Sequence, residues 1–259
     1  MELAKCSALV NGGAGGLGGA TVRRLVQLGV GVVVFDPDAE RAEALANELG
    51  DRVVAVAGDQ SLDADVEAAI AAAQKLGVFS INVNVAGAVF VTPPVADIDG
   101  TPHPMGLFED MVRNHLFGPF NVSRLSAAAF AKNTPDEDGQ RGVIVNTAST
   151  AAYDGQARQA AYSASKGAIV GLTTAMARDL GPIGVRTCAI APGPIMTPRL
   201  AGAPLALQER LIADVAFPKR LGRPEEYGLL VEAIVRNPFL NGQVIRLDGA
   251  MSTQLAVIG

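Results

Sequence analysis

The sequence predicts a single-domain α/β fold in which a doubly wound parallel sheet carries helices on both faces. Three observations support this prediction: short apolar runs alternate with longer helical patterns, the runs are rich in Val, Ile and Ala without polar alternation, and no linker interrupts the 259 residues. Strands that are covered on both faces read as continuous apolar runs, and helices between successive strands make those strands parallel. A chain of this length can bury one substantial core.

The predicted elements follow one another in a regular order. Strands are predicted over CSALV, VGVVVF, RVVAVA, SINVNVA, GVIVNTA, VRTCAIA and GQVIRL. Helices are predicted at about 16–28, over PDAERAEALANEL and DADVEAAIAAAQKL, at about 107–132, around 159–171, and over PEEYGLLVEAIVR. A Pro- and Gly-rich stretch at about 193–223 follows the sixth strand, and we interpret it as a lid over the carboxyl edge of the sheet. A fixed surface excursion is the alternative.

Charge and residue usage exclude several classes of function. The net charge is −5 with scattered Lys and Arg, which disfavours binding to nucleic acid or to an anionic membrane. Cys6 and Cys188 lie in apolar runs and are predicted to be free thiols in a reducing compartment. His103 and His115 have no Cys or His cluster around them, so no metal site is predicted. No apolar run has transmembrane length, and we expect a soluble, cytoplasmic protein.

The first turn, VNGGAGGLGGA, predicts a dinucleotide site of the Rossmann type. Gly12, Gly16 and Gly18 stand between a strand and a helix, where the backbone turns sharply and approaches a pyrophosphate. Asp36 ends the second strand, 18 residues after Gly18, as expected for a ribose-binding acid that repels a 2′-phosphate. NAD is therefore predicted over NADP, with Arg41 as the one basic residue nearby. Alternatively, Asp36 caps the following helix.

Two further strand ends belong to the same predicted edge. Asp59 closes the third strand and is placed to meet the adenine end of the ligand, although an acid in such a turn is common. The fourth strand ends in NVAG, at 84–87, whose small residues let the backbone pass close beneath a ribose. By propensity alone, that segment is a turn.

The part of the site where the reaction would take place, which we call the chemical end, is predicted from three side chains. Tyr162 and Lys166 are four residues apart and share one face of a helix, and Ser149 ends the fifth predicted strand. A nearby ammonium favours the phenolate, so we expect Lys166 to lower the pKa of Tyr162 enough for acid–base chemistry. Ser149 would then hydrogen-bond a developing alkoxide. A Tyr-x-x-x-Lys pair also occurs by chance in many helices.

These motifs together resemble the short-chain dehydrogenase/reductase family. The resemblance is carried by NGGAGGLG, NVAG, Asn114 in VRNHLFGPFNV, Ser149, and Tyr162-x-x-x-Lys166. It implies that Asn114 helps to hold a water between Lys166 and solvent, although a tolerated Asn at a helix bend is the alternative. It implies a nicotinamide clamp in APGPIMTP, through the Ile195 backbone and the Thr197 hydroxyl. A Pro-rich turn without a ligand is the alternative.

The resemblance implies a catalytic set and a cofactor site. The catalytic residues are Asn114, Ser149, Tyr162 and Lys166, and Ser149 and Tyr162 also bind the substrate. The NAD-binding residues are Gly12, Gly15, Gly16, Leu17, Gly18, Asp36, Asp59, Gln60, Val85, Ala86, Gly87, Tyr162, Lys166, Pro192, Gly193, Ile195 and Thr197. Asn11, Gly15 and Val85 stand where the family usually has Thr, Ser and Asn. His103 and His115 receive no catalytic role, since His115 points away from its helical neighbour Asn114.

From position 141 onward, the chain is most similar to the family members known as type II 3-hydroxyacyl-CoA dehydrogenases or 17β-hydroxysteroid dehydrogenases. This similarity implies reversible oxidation of 3-hydroxyacyl-CoA, with steroid or other secondary alcohols as the alternative. A 3-oxoacyl reductase acting on a carrier protein is disfavoured by Asp36, and a non-catalytic NAD-binding scaffold stays open. The C-terminal run NPFLNGQVIRLDGAM implies a homotetramer, or failing that a dimer.

Overall fold

The computed structural model describes residues 1–85, 87 and 91–252. These residues form a seven-stranded parallel sheet in the order β3-β2-β1-β4-β5-β6-β7. The strands are β1 Cys6–Asn11, β2 Gly31–Asp36, β3 Val53–Ala57, β4 Val78–Asn84, β5 Gly142–Thr147, β6 Val185–Pro192 and β7 Val244–Leu247. The predicted doubly wound fold is confirmed.

Helices connect the strands and cover both faces of the sheet. They are α1 Gly16–Gln27, α2 Ala39–Leu49, α3 Asp63–Leu76, α4 Met105–Val112, α5 Gly118–Phe130, α6 Ala160–Leu180, α7 Pro198–Ala201, α8 Leu205–Ala213 and α9 Pro224–Arg236. Helices α1, α2 and α9 pack with one face of the sheet, and α3, α5 and α6 pack with the other.

Side chains alternate across the sheet, which is how one strand supplies two cores. In β1, Ala8 and Val10 join the core beneath α1 and α9, while Leu9 joins the core beneath α3 and α5. All three side chains are fully buried. This explains why the strands read as continuous apolar runs.

The predicted long helix at about 107–132 is three segments rather than one. A π-helical segment, Arg113–Phe117, separates α4 from α5. Pro119 has no N–H and so removes one bond of the regular helical ladder at this point. The chain stays helical on both sides, and the widened turn is absorbed within five residues.

The sheet places the predicted site at one edge. The strand order reverses between β1 and β4, and the carboxyl ends of parallel strands there form the crevice where ligands bind. The predicted lid stretch, 193–223, follows β6 and contains α7 and α8. In the part of the chain that the structure describes, no helix is both long and apolar enough to cross a membrane.

Candidate active site

The glycine-rich turn joins the end of β1 to the start of α1. Gly18 lies so close to the carbonyl oxygen of Gly12 that a Cβ on Gly18 would overlap it. Gly15 is the N-cap of α1, and Leu17 is half-buried in the first turn. A glycine cap has no side chain to accept from the first helical amides, which leaves their hydrogen-bonding capacity suited to an anion. The local geometry therefore fits a dinucleotide phosphate.

Asp36 lies at the end of β2 and is mostly buried. One carboxylate oxygen accepts from the amide of Ala14 in the glycine-rich turn at 3.0 Å, and the other accepts from the amide of Asp38 at 3.1 Å. The alternative that Asp36 caps α2 is wrong, because Asp38 is the N-cap and accepts from the Arg41 amide at 3.1 Å. Asp36 instead joins the second strand to the glycine-rich turn.

Arg41 also reaches this turn. Its guanidinium Nη2 donates to the carbonyl of Ala14 at 2.7 Å, while Asp36 accepts from the amide of the same residue. A carboxylate and a guanidinium thus bind the amide and the carbonyl of one residue, Ala14. The adenine ribose of the cofactor would lie near both charges. The carboxylate would repel a 2′-phosphate and the guanidinium would attract it, so the two charges have opposite effects on the preference for NAD over NADP.

Asp59 and Gln60, which follow β3, point in different directions. The exposed Asp59 carboxylate accepts from both the amide and the hydroxyl of Ser61 at 2.8 Å. Gln60 turns inward: its Oε1 accepts from Asn11 Nδ2 at 2.7 Å, and its Nε2 donates to the Asn114 carbonyl at 2.9 Å. Asp59 therefore braces its own loop, and Gln60 connects β1 to the π segment.

The NVAG segment follows β4. The Val85 amide donates to the carbonyl of Asn11 at 2.8 Å, which ties the segment to the end of β1. Gly87 has a φ of 117°, a conformation that favours glycine. Ala86 lies outside the described residues.

Ser149, Tyr162 and Lys166 meet at the carboxyl end of β5. Their exposed fractions are 8%, 7% and 3%. Lys166 Nζ donates to the Thr147 carbonyl at 2.7 Å and lies 5.8 Å from the Tyr162 ring centroid. Ser149 Oγ accepts from the amide of Ala151 at 3.1 Å, which fixes the hydroxyl at the end of the strand. The structure thus brings together the three predicted side chains.

The electrostatics of this group differ from the sequence-based expectation. Burial raises the pKa of the Tyr162 phenol above its ordinary value, and hydrogen bonding with Ser149 partly offsets the rise. Burial lowers the pKa of Lys166 to about 7. The pKa of Tyr162 is therefore raised and not lowered as expected, because burial has the larger effect.

Asn114 and His115 lie in the π segment and face opposite environments. Asn114 is exposed, and its carbonyl accepts from Gln60. His115 is 1% exposed and packs edge-on with the Tyr162 ring, with centroids 5.2 Å apart and planes at 88°. No sequence pattern predicted this contact. The sequence feature that could have indicated a buried face is the apolar residue Met111, four positions before His115. Met111 is buried and joins Tyr162 in one apolar cluster.

The predicted clamp lies across from the glycine-rich turn. Pro192 ends β6, Gly193 follows, and the Ile195 side chain is buried. Thr197 caps α7 through its hydroxyl. A Cβ on Gly16 would fall 2.9 Å from Thr197 Cβ, so these two predicted cofactor residues are neighbours.

Tyr227 in α9 is a second buried tyrosine that the sequence analysis did not include. Its hydroxyl lies 2.8 Å from Thr147 Oγ1. Thr147 Oγ1 donates its own hydrogen to the Asn84 carbonyl, so Tyr227 must be the donor to Thr147. The same Thr147 accepts from Lys166 through its carbonyl, which places Tyr227 directly behind the site.

Comparisons with known proteins agree with this architecture. The family described as short chain dehydrogenase matches residues 7–205. A 3-hydroxyacyl-CoA dehydrogenase type-2 from Drosophila melanogaster is 48% identical, covering 94% of this chain and 96% of its own. The crystal structure of a 3-hydroxyacyl-CoA dehydrogenase type-2 from Mycobacterium avium has a TM-score of 0.95 at 44% identity, covering 96% of this chain and 97% of its own. A 3-ketoacyl-(acyl-carrier-protein) reductase from Brucella melitensis, complexed with NADH, has a TM-score of 0.82 at 30% identity, covering 94% and 97%.

Proposed function

The chain belongs to the short-chain dehydrogenase family, and we propose that it is an NAD-dependent oxidoreductase that interconverts a secondary alcohol and a ketone. One observation carries the proposal: Ser149, Tyr162 and Lys166 meet, buried, at the sheet edge that also holds the glycine-rich turn. Such a set has no chemical purpose in a protein that only binds a nucleotide.

For the substrate we propose a 3-hydroxyacyl-CoA, oxidised reversibly to the 3-oxoacyl-CoA. The relatives that carry this name support it, because their similarity runs over nearly the full length of both chains. A hydroxysteroid or another secondary alcohol is the alternative substrate for the same residues.

The chain's own residues divide the cofactor site into three parts. The turn at Gly12–Gly18 would hold the pyrophosphate, Asp36 the adenine ribose, and the segment from Gly193 to Thr197 the nicotinamide. When bound, NAD supplies the acceptor or donor of the hydride. The close packing of Gly18 on Gly12 and the glycine cap of α1 fit such a ligand.

Proton transfer falls to Tyr162. Its phenolate form removes the alcohol proton in oxidation, and its hydroxyl form returns a proton in reduction, while Ser149 donates a hydrogen bond to the substrate oxygen. Lys166 supplies positive charge near the phenol, and the Thr147 carbonyl holds its Nζ in place. Since the pKa of Lys166 is about 7, small changes around it alter how much of this charge is present at neutral pH.

NAD is the proposed cofactor in preference to NADP. The Asp36 carboxylate, fixed by two main-chain amides, would accept from the ribose hydroxyls and repel a 2′-phosphate. Arg41 is the opposing influence, but its guanidinium is already bonded to the Ala14 carbonyl.

The wider organisation is also a proposal. We place a movable lid at about 193–223, within one domain spanning 1–259, and propose a cytoplasmic homotetramer, with a dimer as the alternative. Phe217 and Phe239 are 81% and 97% exposed, and such apolar side chains near the end of the chain suit a subunit contact.

The test follows NADH absorbance with acetoacetyl-CoA, with NADPH and a panel of steroid ketones measured in parallel. We expect thioester turnover with NADH that disappears in Tyr162→Phe. Turnover of steroid ketones alone would keep the mechanism and replace the substrate. Tight NADH binding without turnover of any carbonyl would refute the enzyme proposal in favour of a scaffold.

A further inference from the structure

The π segment leaves one carbonyl without a helical donor. In a regular α-helix the Gly118 amide would donate to the carbonyl of Asn114, but here it donates to Arg113. The next residue, Pro119, has no N–H to offer. The Asn114 carbonyl therefore needs a donor from outside its own helix.

Gln60 supplies that donor. Its Nε2 lies 2.9 Å from the Asn114 carbonyl, and its Oε1 accepts from Asn11 Nδ2 at 2.7 Å. The Gln60 carbonyl also accepts from Asn121 Nδ2 at 3.0 Å, which anchors the residue to α5. A Cβ on Gly118 would overlap the Gln60 side chain, so this glycine gives the amide its space. Asn11, Gln60 and Asn114 form a hydrogen-bonded bridge from β1 to the π segment.

The residue after Asn114 faces the reacting group. His115 is buried, and its imidazole stands edge-on to the Tyr162 ring. The imidazole also lies against Gly87, where a Cβ would overlap it. His115 and Lys166 thus both lie close to the Tyr162 ring: the two ring centroids are 5.2 Å apart, and Lys166 Nζ is 5.8 Å from the Tyr162 centroid.

We propose that His115 is a positioning residue for Tyr162, and that the Asn11–Gln60–Asn114 bridge holds the π segment that presents it. The proposal rests on the alcohol–ketone reaction proposed above. In this arrangement the imidazole fixes the ring of Tyr162 so that its hydroxyl stays within reach of Ser149. The bridge fixes the backbone turn from which the imidazole projects.

The size of the effect follows from the contact. Edge-to-face aromatic pairs contribute about 0.5–1.5 kcal/mol beyond simple burial, which corresponds to a change of roughly twofold to tenfold in rate if the contact orients the phenol. Hydrogen bonding with Ser149 lowers the pKa of Tyr162. A ring that moves away from Ser149 should therefore form phenolate at a higher pH.

The experiment compares His115→Leu, His115→Phe and Gln60→Glu with wild type and with Phe120→Leu, an exposed aromatic control in α5. Gln60→Glu keeps the acceptor for Asn11 but loses the donor to Asn114. Three readouts are measured: kcat and KM, the thermal midpoint, and the phenolate absorbance of Tyr162 against pH, with the Tyr162→Phe spectrum subtracted.

We expect kcat to fall by about threefold to tenfold in His115→Leu and Gln60→Glu, with the KM for acetoacetyl-CoA within about twofold. The phenolate midpoint should rise in His115→Leu and return to the wild-type value in His115→Phe. A double variant that combines His115→Leu with Gln60→Glu should lose less kcat than the product of the two single losses, because both changes act through one contact. Phe120→Leu should match wild type in kcat and midpoint.

Several outcomes would overturn the inference. The inference fails if His115→Leu has the kcat and the phenolate midpoint of the wild type. It also fails if the only change in His115→Leu is a lower thermal midpoint. A His115→Phe variant as defective as His115→Leu would assign the effect to imidazole polarity instead of ring placement. If the wild-type protein turned over no carbonyl, the proposed function would fail, and the phenolate titration alone would decide the inference.

Discussion

The candidate site has two parts at the carboxyl ends of the strands. At the nucleotide end, which comprises the glycine-rich turn and Asp36, main-chain amides bind the Asp36 carboxylate. At the chemical end, three side chains lie buried near Thr147. The first arrangement presents backbone groups and a carboxylate to a ligand. The second removes Tyr162 and Lys166 from water and shifts both pKa values. Under the proposed function, ligand recognition would use the backbone and one carboxylate, whereas proton transfer would use desolvated side chains.

The largest expected effect is at the chemical end, from Tyr162→Phe. This change keeps the ring and its contact with His115 but removes the only group proposed to carry the proton. General acid–base catalysis contributes about 10²–10⁴-fold, and kcat should fall by that factor. Tyr153→Phe is the matched control, because Tyr153 is 46% exposed and should leave kcat unchanged. A kcat of Tyr162→Phe within tenfold of the wild-type value would mean that another group transfers the proton.

Lys166 gives a prediction about stability against pH. Its pKa is lowered from 10.5 in the unfolded chain to about 7 in the folded protein, so the unfolded state binds more protons between those values. The free energy of unfolding should then rise with pH across that window. Relative to Lys166→Met, the wild-type protein should gain about 2 kcal/mol between pH 7 and pH 9, measured by urea unfolding without cofactor. An equal free-energy difference at both pH values would mean that Lys166 keeps its ordinary pKa.

The nucleotide end is tested by cofactor preference. Asp36→Ala removes the charge that should repel a 2′-phosphate, while Arg41 stays beside the turn. We expect the ratio of kcat/KM for NADPH to that for NADH to rise by about tenfold or more, equivalent to about 1.4 kcal/mol. Asp38→Ala removes the same charge two residues away and one helix cap, and should leave the ratio unchanged. A change of equal size in this ratio in both variants would contradict a specific role of Asp36 in cofactor preference.

Much of the nucleotide end could be predicted from sequence because its signals are local. The strand, the glycines and Asp36 follow one another within 36 residues, and spacing alone places them together. The chemical set was predictable as residue types, since Ser149, Tyr162 and Lys166 stand at fixed intervals. Their pKa values were not, because burial depends on packing among distant segments.

The missed residues share one physical cause. His115 was set aside because it points away from Asn114, and the structure agrees with that direction, since one residue is buried and the other is exposed. What faces the buried side depends on how α4 and α6 cross, which spacing does not show. Tyr227 lies 80 residues from Thr147 in the chain, beyond any local pattern.

The smallest expected effect is that of Tyr227→Phe. Tyr227 is hydrogen-bonded to Thr147, which lies at the chemical end and bonds to a strand end beside the nucleotide end. Tyr227 donates to Thr147, whose hydroxyl donates to the Asn84 carbonyl beside the nucleotide end and whose own carbonyl holds Lys166. Loss of one buried neutral hydrogen bond costs about 1 kcal/mol, so the free energy of unfolding should fall by that amount. Because Thr147 keeps its bond to Asn84, its carbonyl should stay in place, and kcat should change by no more than about threefold. A much larger fall in kcat with the same loss of stability would mean that the position of Lys166 depends on α9, and that the chemical end is less independent than its burial suggests.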